Sequence, residues 1–157
     1  MNQEDQELLL RDLCARLPYK VKCYANQYKI YGHHCECYGV LEGMRNGYFH
    51  LIDRVSVNGG RTYDSDYLQV KPYLRPMSSM TEEEQKVYGG FFWNHHHEWD
   101  GSSTCTECVI AESLPKFLEF IYSNHLDYLG LIPKGLAIEA PADMYKTKRF
   151  YGPTADI

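Results

Sequence analysis

The stretch Glu42-Gly43-Met44-Arg45-Asn46-Gly47-Tyr48-Phe49-His50-Leu51-Ile52-Asp53-Arg54-Val55 decides the fold class. Asn-Gly is the dipeptide that suits a two-residue hairpin turn, because both of its residues accept a left-handed backbone. The residues after it are rich in aromatic and β-branched side chains, as a strand requires. Residues 35–42 then read as the strand before the turn and residues 48–55 as the strand after it. Working outward, Tyr19, Val21 and Cys23 alternate with Lys20, Lys22 and Tyr24, the period of a half-buried strand. Asn58-Gly59-Gly60 breaks the chain. Leu68, Val70 and Leu74 recur at even spacing with Pro72 between them, which reads as a short edge strand over residues 67–74.

Helices flank this strand-rich region. Leu10, Leu13, Cys14 and Leu17 fall at i, i+3, i+4 and i+7, with Leu9 beside them, so residues 3–17 read as a helix ended by Pro18. Glu4, Asp5 and Glu7 favour its N-terminal dipole. Thr81-Glu82-Glu83-Glu84 is a capping box that opens a short helix over residues 82–88, stopped by Gly89-Gly90. Ser113 caps a further helix that tolerates Pro115 in its first turn, with Leu114, Phe117, Leu118, Ile121 and Tyr122 on one apolar face. Between them, Pro72-Tyr73-Leu74-Arg75-Pro76 fixes a sheet-to-helix crossing in which Arg75 can tie to a carboxylate or a carbonyl. The predicted architecture is a single α+β domain over residues 1–146: an N-terminal helix, a four-stranded antiparallel meander or small SH3-like barrel, then two helices and a packed tail. Residues 147–157 read as a loose end.

Composition agrees with one cored domain. The chain has 157 residues, 44% of them hydrophobic and 24% charged. That is too short for two well-cored domains. Aromatic residues stand out: 14 Tyr, 6 Phe and 2 Trp. Such a content excludes disorder and favours sheet. The net charge of -5 provides no broad field to gather nucleic acid. Two short basic groups, Lys20/Lys22/Lys29 and Lys146/Lys148/Arg149, read as solvated surface. The acidic opening Met1-Asn2-Gln3-Glu4-Asp5-Gln6-Glu7 lacks a cationic n-region, and no apolar stretch approaches the roughly 20 residues of a membrane helix. A cytoplasmic location follows as the expectation. There the six cysteines are thiols or metal ligands rather than disulfides.

Three segments resemble an uncharacterised family of small proteins from gut bacteria of the Bacteroides type and their mobile elements. They are Leu13-Cys14-Ala15-Arg16-Leu17-Pro18-Tyr19-Lys20-Val21, the run from Lys71 to Glu84 (KPYLRPMSSMTEEE), and the run from Leu126 to Pro141 (LDYLGLIPKGLAIEAP) followed by Met144-Tyr145. The resemblance implies a prophage-like or accessory cytoplasmic protein. It carries no activity, ligand or catalytic residue with it, and it does not reach residues 89–111.

Two constellations are candidates for function. Tyr24, Tyr28, Tyr31 and Tyr38 cluster around the first two strands beside Lys20, Lys22 and Lys29. Tyrosine offers rigid amphipathic area suited to a binding surface, while the plain alternative is cross-strand pairing that stabilises the sheet. Tyr73, Tyr128 and Tyr145 lie in the resembling segments and read as framework. The second constellation is His95-His96-His97 followed by Cys105-Thr106-Glu107-Cys108, where thiolates and imidazoles sit at zinc-ligand spacing. Cys105, Cys108, His95 and His97 are the candidate ligands of a structural zinc. Cys35 and Cys37, with His33 and His34 ahead of them, can complete a four-cysteine site, although cysteines alternating on a strand are also ordinary core residues.

Catalytic patterns are missing. Cys105–Cys108 lacks the strand-then-helix setting of a redox motif. His97-Glu98 is followed by Trp99-Asp100 and not by the second histidine of a zinc protease. Asn94-His95 lacks a metal-nuclease context, and there is neither a nucleophile elbow nor a phosphate-cradling Gly-Lys-Ser/Thr loop. The expectation is a non-enzymatic interaction or regulatory protein with a protein partner and no cofactor, with a zinc-binding protein as the alternative. Neither reading involves nucleic acid or membrane, and neither sets an oligomeric state.

Overall fold

The computed structural model describes residues 1–30, 33–53, 61–93, 108–109 and 114–145. Helix α1, Gln3–Arg16, starts where the Asn2 side chain accepts the Asp5 amide at 2.7 Å. That cap satisfies one of the amides a helix start leaves over. A single 3-10 turn, Leu17–Tyr19, places Pro18 where its missing N–H costs nothing. Lys20 then takes a left-handed φ of 52° and turns the chain into the sheet.

The strands follow as β1 (Lys22–Ile30), β2 (His33–Arg45), β3 (Tyr48–Asp53), β4 (Arg61–Ser65) and β5 (Val70–Leu74). Next come helix α2 (Glu82–Gly89), the two-residue strands β6 (Phe92–Trp93) and β7 (Cys108–Val109), helix α3 (Leu114–Ser123) and strand β8 (Ile138–Glu139). The main sheet has six strands in the order β4-β3-β2-β1-β5-β8. Neighbours pair antiparallel except β8, which runs parallel to β5. The hairpin forms as its sequence dictates. Asn46 and Gly47 have φ of 52° and 82°, and Arg45 pairs with Tyr48 across them.

The α+β class and the N-terminal helix stand as expected; several finer expectations are corrected. The sheet is open, with β4 and β8 at its edges, and does not close into a small barrel. Residues 67–74 are not an edge strand. They divide into a 3-10 turn, Tyr67–Gln69, and β5, which lies between β1 and β8. Pro72 is tolerated there because β8 reaches only Tyr73 and Leu74. Strand β4 has no counterpart in the sequence reading. On α3, Phe117 and Ile121 are buried, but Leu114 and Leu118 are 46% and 36% exposed, so the buried stripe is narrower than the periodicity suggests. No described helix is long and apolar enough to cross a membrane.

One face of the sheet carries the core. Val21, Cys23, Ala25, Leu41, Leu51, Val70 and Leu74 pack with Leu9 and Leu13 of α1 and with Leu131 and Leu136. Each fully buried leucine contributes on the order of 2 kcal/mol. The strands approach closely at Gly39, where an added Cβ would lie 3.1 Å from the carbonyl carbon and oxygen of Ile52. A second cluster joins Phe117, Ile121 and Leu126 to Met77, Met80, Tyr88 and Phe91.

Candidate functional site

Alternation along β1 turns Cys23 and Ala25 to the core and leaves Lys22 and Tyr24 on the other face. The register sets Tyr24 directly opposite Tyr38 on β2 and opposite Lys71 on β5. The two tyrosine rings meet at a centroid distance of 5.4 Å, and Tyr38 is 54% exposed. Lys71 is exposed as well. The structure therefore brings together two of the four candidate tyrosines and adds a lysine that local sequence does not reveal. Lys71 is far from β1 along the chain, and only the placement of β5 makes it a neighbour.

The remaining members of the group divide. Lys20 pairs with Glu42 at 3.7 Å. Lys22 is turned inward on its own chain: its Nζ donates to the Met144 carbonyl at 3.0 Å and lies 5.8 Å from the centre of the Tyr145 ring. Lys22, half-buried beside Tyr24, thus also takes part in an internal contact. Tyr28 lies on β1 past Gln27, where the regular pairing with β2 shifts. Tyr31 lies outside the described residues.

Of the zinc candidates, His95, His97 and Cys105 lie outside the described residues. Cys108 is on β7, paired with Trp93 of β6. Cys35 and Cys37 stand opposite Gln27 and Ala25. Among the described residues no group of three or more His, Cys, Asp or Glu is placed to hold a metal ion.

A buried polar junction escapes the sequence reading. Arg16 donates to Asp12 through Nε at 2.7 Å and through Nη2 at 3.0 Å, and Nη2 also reaches the Leu126 carbonyl at 2.8 Å. The Tyr122 ring lies 5.1 Å from the guanidinium carbon. Next to Leu126, His125 takes a left-handed φ of 54° and stacks on Tyr145 with 3.9 Å between ring centres. Among the described residues, Arg16 Nη1 and His125 Nδ1 are buried without a hydrogen-bond partner. The turn is tied to β5 by its backbone, with Arg75 N donating to His125 O and Asp127 N donating to Arg75 O, both at 2.8 Å. Asp127 accepts the amides of Leu131 and Ile132 at 2.7 and 2.9 Å.

Arg75 links this turn to α2. Its Nη1 and Nη2 each donate to a Glu84 carboxylate oxygen at 2.8 Å, and Nη2 donates to the Ser79 carbonyl at 3.0 Å. Glu84 also completes the capping box with Thr81. Both the tie and the cap are where the sequence puts them.

Electrostatics give the junction a structural character. Burial, reinforced by Arg16, Arg75 and Lys22, pushes the His125 pKa down to about 3, so its ring is neutral near pH 7. Burial raises the Asp12 carboxyl, and the Arg16 guanidinium opposes that rise. Hydrogen bonds from Arg75 lower Glu84. Burial also raises the Cys23 thiol, which leaves it protonated and a poor nucleophile. A neutral histidine, a capped arginine and an inert thiol make a packing hub. No known protein family, curated protein or solved structure matches the chain.

Proposed function

We propose that this chain is a non-enzymatic interaction or regulatory protein, of the mobile-element type its resemblance implies, which engages a protein partner through the face of Tyr24, Tyr38 and Lys71. One observation carries the reading: two tyrosines stand directly opposite each other on the sheet face away from the core, 5.4 Å apart, and Tyr38 keeps 54% of its surface exposed. Cross-strand pairing alone contributes only about 0.2–1 kcal/mol and does not require an aromatic to remain exposed. Tyrosine pairs supply rigid contact area at small entropic cost. The Lys71 ammonium at their edge favours a partner that sets a carboxylate beside an apolar contact. The net charge of -5 supports a protein rather than nucleic acid as partner.

The test is recovery of bound proteins from the native cell with wild-type chain and with the Tyr24→Ala/Tyr38→Ala variant, its fold checked by urea unfolding. The expected outcome is loss of the partner from a folded variant. Unchanged recovery removes this face from the account.

The β6–β7 pairing favours a second reading. Pairing Trp93 with Cys108 anchors both ends of the segment that holds His95, His97 and Cys105 at one place. A structural zinc on Cys105 and Cys108 with one of those histidines is compatible with that anchor. Elemental analysis of protein purified without a histidine tag decides it. A zinc:protein ratio near one supports the site; a ratio near zero, with all six thiols titratable on unfolding, removes it.

A further inference from the structure

Two polar atoms of the buried junction are shut off from solvent. Arg16 is 1% exposed and His125 8%, and Arg16 Nη1 and His125 Nδ1 have no hydrogen-bond partner among the described residues. Both belong to one corner of the fold. Arg16 Nη2 donates to the carbonyl of Leu126, the residue next to His125, at 2.8 Å. The Tyr122 ring lies 5.1 Å from the guanidinium carbon, and the His125 amide donates to the Tyr122 carbonyl at 3.1 Å. The guanidinium thus lies against the turn that carries the imidazole. The rest of that corner is fixed. Asp12 holds Nε and Nη2, and the His125 ring is stacked on Tyr145 with 3.9 Å between centres.

An unmet buried donor or acceptor is costly enough that folded proteins almost always pair it, with protein or with an enclosed water. The two atoms here ask for opposite things. Nη1 can only donate. The His125 ring is neutral near pH 7, so one of its nitrogens carries a lone pair. An anion would satisfy Nη1 but set its charge against that lone pair, and Asp12 already balances the charge of Arg16. A cation would lie against Arg16, which keeps its charge. A water molecule accepts from the one atom and donates to the other.

We propose that Arg16 Nη1 and His125 Nδ1 bind one internal water between them, which accepts from the guanidinium and donates to the imidazole. The assignment fixes the ring: its proton is on Nε2, and Nδ1 is the acceptor. Holding a residue with a Cβ at a φ of 54° is unfavourable, and the bridge to Arg16 offsets part of that cost. The water is then a structural ligand of the joint between α1 and the turn after α3. Its test does not depend on the proposed function of the Tyr24–Tyr38 face.

The test is a high-resolution crystal structure of the full chain, grown with bromide in place of chloride. The expected result is one enclosed peak, without anomalous signal, within about 2.7–3.2 Å of both atoms. No peak, a peak that reaches only one of the two atoms, a direct Arg16–His125 contact, or a bromide signal at the peak overturns the proposal. In solution, the ring nitrogen resonances of His125 are expected to place its proton on Nε2, and a proton on Nδ1 overturns it as well. Two variants separate the water from mere packing. His125→Asn sets an amide oxygen near the place of Nδ1 and tolerates the left-handed backbone, so the peak is expected to stay. His125→Phe keeps a ring on Tyr145 but offers no acceptor, so the peak is expected to vanish. A water kept in a folded His125→Phe chain, or lost from a folded His125→Asn chain, overturns the proposal. Should neither variant fold, the wild-type crystal and the ring resonances decide it.

Discussion

Asp12 and Arg16 face each other across one turn of α1 with 0% and 1% of their side chains exposed, joined by two hydrogen bonds of 2.7 and 3.0 Å. Arg16 cannot shed its charge, so removing Asp12 strands a cation inside the protein. Asp12→Ala is expected to cost about 3–5 kcal/mol. Replacing both residues with apolar ones of similar size, as in Asp12→Leu/Arg16→Met, recovers most of that loss. Urea unfolding of the two variants against the wild type measures both.

Stability is expected to fall in mild acid because of His125. The unfolded chain protonates this residue near 6.5, whereas the folded chain resists until about 3. The unfolded state therefore binds the extra proton across that window. The contribution is whole above pH 6.5 and shrinks as the pH falls toward 3, by about 2 kcal/mol between pH 7 and pH 5. His125→Phe keeps a ring against Tyr145 and carries no titrating group. Its stability, measured by denaturant at pH 7, 6 and 5, is expected to lack that part of the slope.

Two glycines on β2 are expected to answer oppositely to alanine. At Gly39 a methyl group meets the Ile52 backbone at 3.1 Å, and main chain cannot step aside as a flexible side chain does. Gly39→Ala is expected to destabilise by about 1–3 kcal/mol. At Gly43 no atom lies within 4 Å of the added carbon, and Gly43→Ala stays within about 0.5 kcal/mol of wild type. Thermal or urea unfolding separates the pair.

Cys23 is expected to be the slower of the two cysteines whose surroundings are described. It is buried and its thiol is held protonated by that burial, while Cys14 is half-buried. Alkylation with iodoacetamide under native conditions, followed by peptide mass mapping, is expected to label Cys14 well before Cys23. Labelling of Cys23 then reports opening of the core.

Local rules made part of this molecule readable in advance. Asn46-Gly47 sets its hairpin by backbone preference alone, and Thr81 with Glu84 closes its capping box within one helical turn. The helix α1 was visible, but its phase was off by one residue. Leu9, Asp12, Leu13 and Arg16 form the buried stripe, while Leu10, Cys14 and Leu17 are only half-buried. Hydrophobic periodicity missed this because half of the true stripe is charged, and the two charges cancel only when both are inside. The place of β5 beside β1, the short β8 and the Tyr145 contact rest on pairings between distant parts of the chain, which no window of sequence contains. The tyrosine face was legible in part for the same reason. Alternation grouped Tyr24 with Lys22, but only the fold shows that Lys22 is engaged by the C-terminal segment and that Lys71 stands beside Tyr24.

Segments synthesised late complete what helix α1 begins. Arg16 waits for the carbonyl of Leu126, 110 residues later, and Lys22 waits for Tyr145, 123 residues later. Until those residues emerge, a nascent chain holds α1 and β1 without Leu131, Leu136 and Ala137 to close over them. Closure is therefore a late event in the life of each molecule, slow in the way that long-range pairing is slow and exposed meanwhile to aggregation or chaperone capture. Strand β8, made more than 60 residues after the strand it lies against, closes the sheet beside β5 only once residues 138–139 have been synthesised.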